Sequence, residues 1–240
     1  MAANWQRGVL RAMGVHNHPL EVVGVEDVTP WYRRLRVSAP SLVATLEPHP
    51  TIWLRLWVPS LKKDMLVQRG YTILDVDHDA GQLSLELVLH QPEGAAGVWG
   101  RDAVVGSTAE VAITTQKHRV DLAAGTVVLA GDTTAVPAVR SVLDALSPTT
   151  RAVVVLADAH PDRTDLPLPE RENTKLTWVE SASDVVAVLR EHHVDPADAY
   201  VWAGGERRLV KAVRSYARDL GVARDRQYTQ AYWIEGRDGG

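Results

Sequence analysis

Residues 126–138 read Thr126-Val127-Val128-Leu129-Ala130-Gly131-Asp132-Thr133-Thr134-Ala135-Val136-Pro137-Ala138. The opening run, Thr126 to Ala130, has no polar alternation, which suits a strand buried on both faces of a parallel sheet. Gly131-Asp132-Thr133 then breaks the run. Asp132 or Thr133 can cap a following helix, and Pro137 is tolerated in its first turn. Ligands of open α/β sheets bind at such strand–turn–helix junctions, beyond the carboxyl ends of the strands. The same grammar recurs downstream. Ala152 to Ala157 and Ala199 to Ala203 are further continuous apolar runs, and Trp202-Ala203-Gly204-Gly205-Glu206 is a second such junction. Helical spacing of apolar residues separates the runs over Val136–Leu146, Ser183–His192 and Glu206–Leu220. Strands alternating with helices predict an α/β domain with a parallel sheet of the nucleotide-binding type.

Upstream, the period changes to two. In Ile52 to Val58, Ile52, Leu54, Leu56 and Val58 fall on one face and Trp53, Arg55 and Trp57 on the other. Leu20–Val25, Arg33–Val37, Tyr71–Val76 and Leu83–Leu89 continue the pattern, with a turn over Asp77–Gly81. Val104 to Ile113, broken at Gly106-Ser107, is read as the last strands. Short strands at this spacing predict a β-barrel or sandwich. The boundary between the halves is placed near residues 116–124.

Composition narrows the chemistry. The chain has 240 residues, 45% hydrophobic and 23% charged, so it can bury a sizeable core. The absence of cysteine excludes disulfides, thiolate nucleophiles and Cys-ligated zinc or iron–sulfur centres. Redox chemistry would need an organic cofactor or a metal held by N and O ligands. The nine histidines show no metal-ligand spacing, so no metal site is expected. No Gly-x-Ser-x-Gly elbow supports a hydrolase. A net charge of −4 argues against nucleic-acid binding by counterion release. With no long apolar run and no signal-peptide core, a cytoplasmic location without membrane insertion is expected.

Arg69-Gly70-Tyr71-Thr72 opens a strand. An arginine fork can take a phosphate, an aromatic can cover a flavin face, and Thr72 can reach the ring's polar edge; an ordinary surface strand would look the same. His90-Gln91-Pro92-Glu93-Gly94-Ala95-Ala96-Gly97-Val98-Trp99 follows, with a short helix expected at Val98–Asp102. Its small residues allow backbone amides to approach a pyrophosphate at a helix N-terminus. Taken in order with Ala130 to Ala138, Trp202 to Glu206 and Tyr232-Trp233, these landmarks resemble those of the siderophore-interacting proteins. These are flavin-dependent ferric-siderophore reductases related to the ferredoxin reductases.

The resemblance implies an FAD-binding antiparallel β-barrel over residues 18–118, followed by an open α/β NAD(P)H-binding domain over 119–240. Carried over, it implies cofactor contacts from Arg69, Tyr71, Thr72, His90, Gly94, Ala95, Ala96, Gly97, Val98 and Trp99. In the second half it implies contacts from Asp132, Thr134, Ala135, Gly205, Glu206, Tyr232 and Trp233. The implied cofactors are FAD and NADH or NADPH. The implied substrate is a ferric siderophore, often anionic, for which Lys117 and Arg119 are the candidate cations. No residue is expected to act as a catalytic acid or base, and no obligate protein partner is expected. Two alternatives stand beside this reading: a general NAD(P)H:flavin reductase with another acceptor, and a siderophore-binding protein that has lost flavin. The chain departs from the family pattern at Leu74, where a second arginine is usual, and at Ile234, where a basic residue is common.

Overall fold

A computed structural model describes residues 16–89, 94–113, 116 and 118–236. They form two compact units, the second starting at His118.

The first unit is a seven-stranded antiparallel sheet of β1 (Asn17–Thr29), β2 (Tyr32–Ser38), β3 (Trp53–Pro59), β4 (Leu66–Thr72), β5 (Leu74–Asp77), β6 (Gln82–Val88) and β7 (Thr108–Ala112). Their spatial order is β4-β3-β7-β1-β2-β6-β5. The two outermost strands, β4 and β5, are separated in sequence by Ile73 alone. One chain segment therefore pairs with β3 in its first half and with β6 in its second, and the sheet closes on itself as a barrel. Period-two alternation sends Leu54, Leu56, Val58, Leu83, Leu85 and Leu87 into the barrel core. Two helices are attached, α1 (Pro40–Val43) and α2 (Ala95–Asp102). Glu86 lies buried in the wall, where Tyr32 Oη donates to it at 2.6 Å and Arg34 at 2.8 Å. Buried carboxylates need such partners.

The second unit holds β8 (Thr126–Asp132), α3 (Val136–Ala145), β9 (Arg151–Ala157), β10 (Thr174–Val179), α4 (Val185–Glu191), β11 (Ala199–Glu206), α5 (Arg207–Leu220) and β12 (Gln227–Trp233). All strands are parallel, in the order β10-β9-β8-β11-β12. The chain winds outward from β8 to β10, then crosses back to β11. The reversal lies between β8 and β11, which is the topological switch point of such a sheet. On one face Val128, Ala130, Val201 and Ala203 pack against Leu209, Val210 and Val213 of α5 and Leu189 of α4.

The structure departs from sequence expectation at several places. Only Thr108–Ala112 of the stretch 104–113 is a strand; Val104 and Val105 stand in the preceding turn, 64% and 66% exposed. Two valines read as strand formers are thus surface turn residues, because Gly106 and Ser107 bond to Val22 and fix the turn there. The expected strand over Tyr71–Val76 is divided at Ile73 by the change of partner. Helix α2 starts at Ala95, three residues before the expected Val98. Strands β10 and β12 lie at the two edges of the parallel sheet, where one side of the backbone stays unpaired and the side chains are more polar, so no continuous apolar run marks them.

Candidate functional site

The switch point of the second unit is built around one carboxylate. Asp132, the last residue of β8, is 8% exposed. Its Oδ1 accepts from the Thr134 amide at 2.9 Å and from the Thr134 hydroxyl. Its Oδ2 accepts from the Glu206 amide at 2.7 Å and from Trp233 Nε1 at 2.9 Å. Burial pushes the Asp132 carboxyl above the usual carboxylate range, and the four donors pull it back. Asp132 thus ties together the carboxyl ends of β8, β11 and β12.

Glycines make the knot sterically possible. Gly205 has φ +125°, and a Cβ there would lie 2.4 Å from Asp132 Oδ2. At Gly131 a Cβ would meet the Gly204 carbonyl oxygen at 2.4 Å, and at Gly204 one would meet Tyr232 at 2.9 Å. Gly131 and Gly204 are register partners across β8 and β11. The room these glycines leave is filled by the protein itself. Tyr232 sets its ring edge-on to buried Trp202, with centroids 6.5 Å apart. Tyr232 and Trp233 keep 40% and 43% of their surface exposed, as an aromatic border beside the switch point.

Glu206 caps α5: its carboxylate accepts from the Arg208 amide and, at 3.3 Å, from the Leu209 amide. Its other oxygen accepts from the Glu235 amide at 3.4 Å. Two of the amides that a helix leaves unpaired at its start are therefore satisfied internally.

In the first unit, Arg69 and Tyr71 are opposite Leu56 and Leu54 in the β3–β4 ladder, so they share one face. Both are half-buried, and Thr72 is buried. Burial pushes the Tyr71 phenol up to about 12 against the pull of Arg69, so it is neutral at physiological pH. Desolvation lowers the Arg69 guanidinium from its ordinary value, and Tyr71 opposes that shift. Helix α2 begins after Gly94, with no side-chain cap and no acidic residue in its first turn. Ala95, Ala96 and Gly97 are buried in that turn, while a Cβ at Gly94 would meet nothing within 4 Å. Among the described residues, the start of α2 is a set of amides with no side-chain cap and no acid in its first turn, which fits the pyrophosphate of a dinucleotide. Val98 and Trp99 are half-buried on α2. Trp99 packs on the barrel core and borders a groove of about 410 Å³ lined also by Trp57, Pro59, Leu66 and Glu110.

Of the remaining sequence candidates, Thr134 and Ala135 follow Asp132, Ala135 fully buried against Gly131. Arg119 is exposed and donates to the His118 carbonyl at 2.8 Å. His90 and Lys117 lie outside the described residues. Leu74 is 5% exposed in the barrel, on the strand that closes it. Among the described residues no cluster of three His, Asp or Glu could hold a metal ion. No helix among them is long and apolar enough to cross a membrane. Sequence reasoning missed the stack of His118 on Tyr228 (3.6 Å) and its bond to Tyr200 Oη (2.7 Å), because the three residues come from distant segments.

Comparison with known proteins gives the architecture a family. Residues 45–115 match the siderophore-interacting FAD-binding domain, and residues 124–236 match the siderophore-interacting protein family. The chain belongs to the siderophore-interacting protein family. The mycobactin import ATP-binding/permease protein IrtA of Mycolicibacterium thermoresistibile is 32% identical over 99% of this chain, and the chain spans only 27% of that protein's length. The ferric vibriobactin reductase ViuB of Vibrio cholerae is 27% identical over 72% of this chain and 66% of its own length. The siderophore-interacting protein SipS of Aeromonas hydrophila has the same fold, with a TM-score of 0.82 at 22% identity, covering 92% of this chain and 93% of that one. Ferredoxin reductases share the fold more distantly.

Proposed function

We propose that this protein is a ferric-siderophore reductase, oxidising NAD(P)H and reducing siderophore-held Fe(III) to Fe(II). One observation carries the reading. A barrel of the siderophore-interacting FAD-binding class is followed, in one chain, by a parallel sheet with a topological switch point between β8 and β11. A chain that only bound a siderophore would have no use for the second feature. The ViuB relationship supports the same acceptor.

The roles of the chain's own residues follow from their chemistry. The amides opening α2, from Ala95 to Val98, would hold the FAD pyrophosphate, with Arg69 as its cation. The neutral Tyr71 would lie against the flavin ring and Thr72 at the ring's polar edge. Bound FAD supplies the conversion of a two-electron donor into a one-electron one, so one NAD(P)H serves two Fe(III). At the second unit, Thr134 and the border of Tyr232 and Trp233 would receive the nicotinamide end of the dinucleotide, beyond the carboxyl ends of β8 and β11. Asp132 and Glu206 hold that border in place through their hydrogen bonds. Hard anionic oxygen donors hold Fe(II) less tightly than Fe(III), so reduction itself releases the iron. Lys117 and Arg119 are the proposed cations for an anionic siderophore. Arg33, Arg34 and Arg36 are engaged with Asp27, Glu86 and Asp77 and are not available for it.

The test is spectroscopic. The purified protein with FAD is expected to lose its flavin absorbance on anaerobic NADH or NADPH and regain it on a ferric siderophore, with Fe(II) captured by a ferrous chelator. Bleaching without reoxidation by any ferric siderophore would overturn the acceptor; no bleaching with either nucleotide would overturn the reductase reading.

A further inference from the structure

The second unit also carries a carboxylate that the reading above leaves unused. Asp158 directly follows β9, the neighbour of β8 on the side away from β11. In sheets wound this way, the adenosine ribose of a dinucleotide lies at the carboxyl end of the strand after the first one. An acidic residue there accepts the ribose hydroxyls, and a cation there accommodates a 2′-phosphate. The order β10-β9-β8-β11-β12, read outward from β8, makes β9 that strand.

Resting on the reductase reading, we propose that Asp158 selects NADH against NADPH by holding a fixed carboxylate where the 2′-phosphate would sit. Three bonds hold it. The Thr133 hydroxyl donates to Oδ2 at 3.2 Å, the His160 amide donates to Oδ1 at 2.7 Å, and His160 Nδ1 lies 2.8 Å from that same oxygen. Thr133 belongs to the turn that leaves Asp132, so the carboxylate is tied to the switch point. The Asp158 side chain is 10% exposed, which limits how far water can screen it. Oδ2 accepts one described bond and retains a lone pair for a ribose hydroxyl. A 2′-phosphate brings close to two further negative charges to the same place. The nearby cation, Arg163, donates Nη1 to the His160 carbonyl at 2.9 Å, and its Nε is enclosed. One nitrogen of its fork is thus held by the backbone of this turn.

The experiment measures dissociation constants of NADH and NADPH for the full chain by fluorescence titration. It uses the wild type, Asp158→Asn, which keeps the shape and removes the charge, and Asp158→Ser. The wild type is expected to bind NADH at least about tenfold more tightly, and both variants to lose most of that preference through a gain for NADPH. Arg163→Ala is expected to leave NADPH binding unchanged. A wild type that prefers NADPH, or variants with an unaltered ratio, would overturn the selectivity role and leave the reductase reading intact. Failure of a folded, FAD-loaded chain to bind either nucleotide would overturn both.

Discussion

Two helix starts in this molecule answer the same problem in opposite ways. Every α-helix begins with amides that its own turns cannot satisfy, and carries partial positive charge there. At α5 the protein supplies the anion itself, through the Glu206 carboxylate on the Arg208 and Leu209 amides. At α2 no described residue supplies one: Gly94 has no side chain and the first turn has no acid. An external phosphate would meet the Glu206 carboxylate at the first and no described anion at the second. Both junctions read as small-residue turns before a helix, yet only at α5 does a described carboxylate occupy the helix start. The glycines before α5 serve another end, making room for Asp132, Trp202 and Tyr232.

The contrast can be broken by making the two alike. Gly94→Asp gives α2 a cap of its own. FAD affinity is expected to fall about a hundredfold by titration, through lost charge-assisted bonds and repulsion, while thermal stability is kept or raised. Unchanged affinity would mean that the α2 amides do not hold the pyrophosphate. Next in size, Gly205→Ala forces a Cβ into the Asp132 carboxylate at positive φ and is expected to cost about 2 kcal/mol in chemical denaturation. Wild-type stability would show that the knot has slack. Glu206→Ala uncaps α5 and is expected to cost about 1 kcal/mol. Its effect on FAD titration should be nil; a matched loss of flavin affinity would show that the two helix starts are not separate in function.

The smallest effect concerns pH. The Asp132 carboxyl is raised in the folded state, so between its unfolded and folded values the folded chain binds more protons. Its contribution is then fully present below the unfolded value and is lost as pH rises through the folded one. Trp233→Phe removes one donor that favours the anion and raises the carboxyl further. The variant's stability should fall more steeply than the wild type's as pH rises above the ordinary carboxylate range, by under about 1 kcal/mol in paired denaturation curves. Parallel curves would show that the Trp233 bond contributes nothing to the carboxylate.

Much of the architecture was legible in the residues. The unbroken apolar runs at 126, 152 and 199 announce strands buried on both faces, and their alternation with helical spacing implies a parallel sheet. The period-two pattern at 52–58 assigns Leu54 and Leu56 to the barrel core and Trp53, Arg55 and Trp57 to the other face, and the ladders agree, although Trp57 is buried there at 1% exposure. Less legible were the edge strands β10 and β12, where burial is incomplete and periodicity weak. Asp132 was visible as a cap, and as one it serves the Thr134 amide. Its bonds to Glu206 and Trp233 span separations of 74 and 101 residues, which no local pattern encodes.

What the sequence determined by itself was therefore local: which segments alternate, which run apolar, where glycine and proline punctuate, and which chemistry the lack of cysteine forbids. Those properties depend on backbone geometry and burial within a few residues. Tertiary structure alone decided which strand lies beside which. It thereby decided that Asp132, Gly205 and Trp233 form one knot, that Asp158 stands beside the switch point, and that of two similar helix starts only α5 is capped by a described carboxylate. Contacts between distant segments depend on strand order and crossover, and a linear pattern carries that information only through the fold it produces.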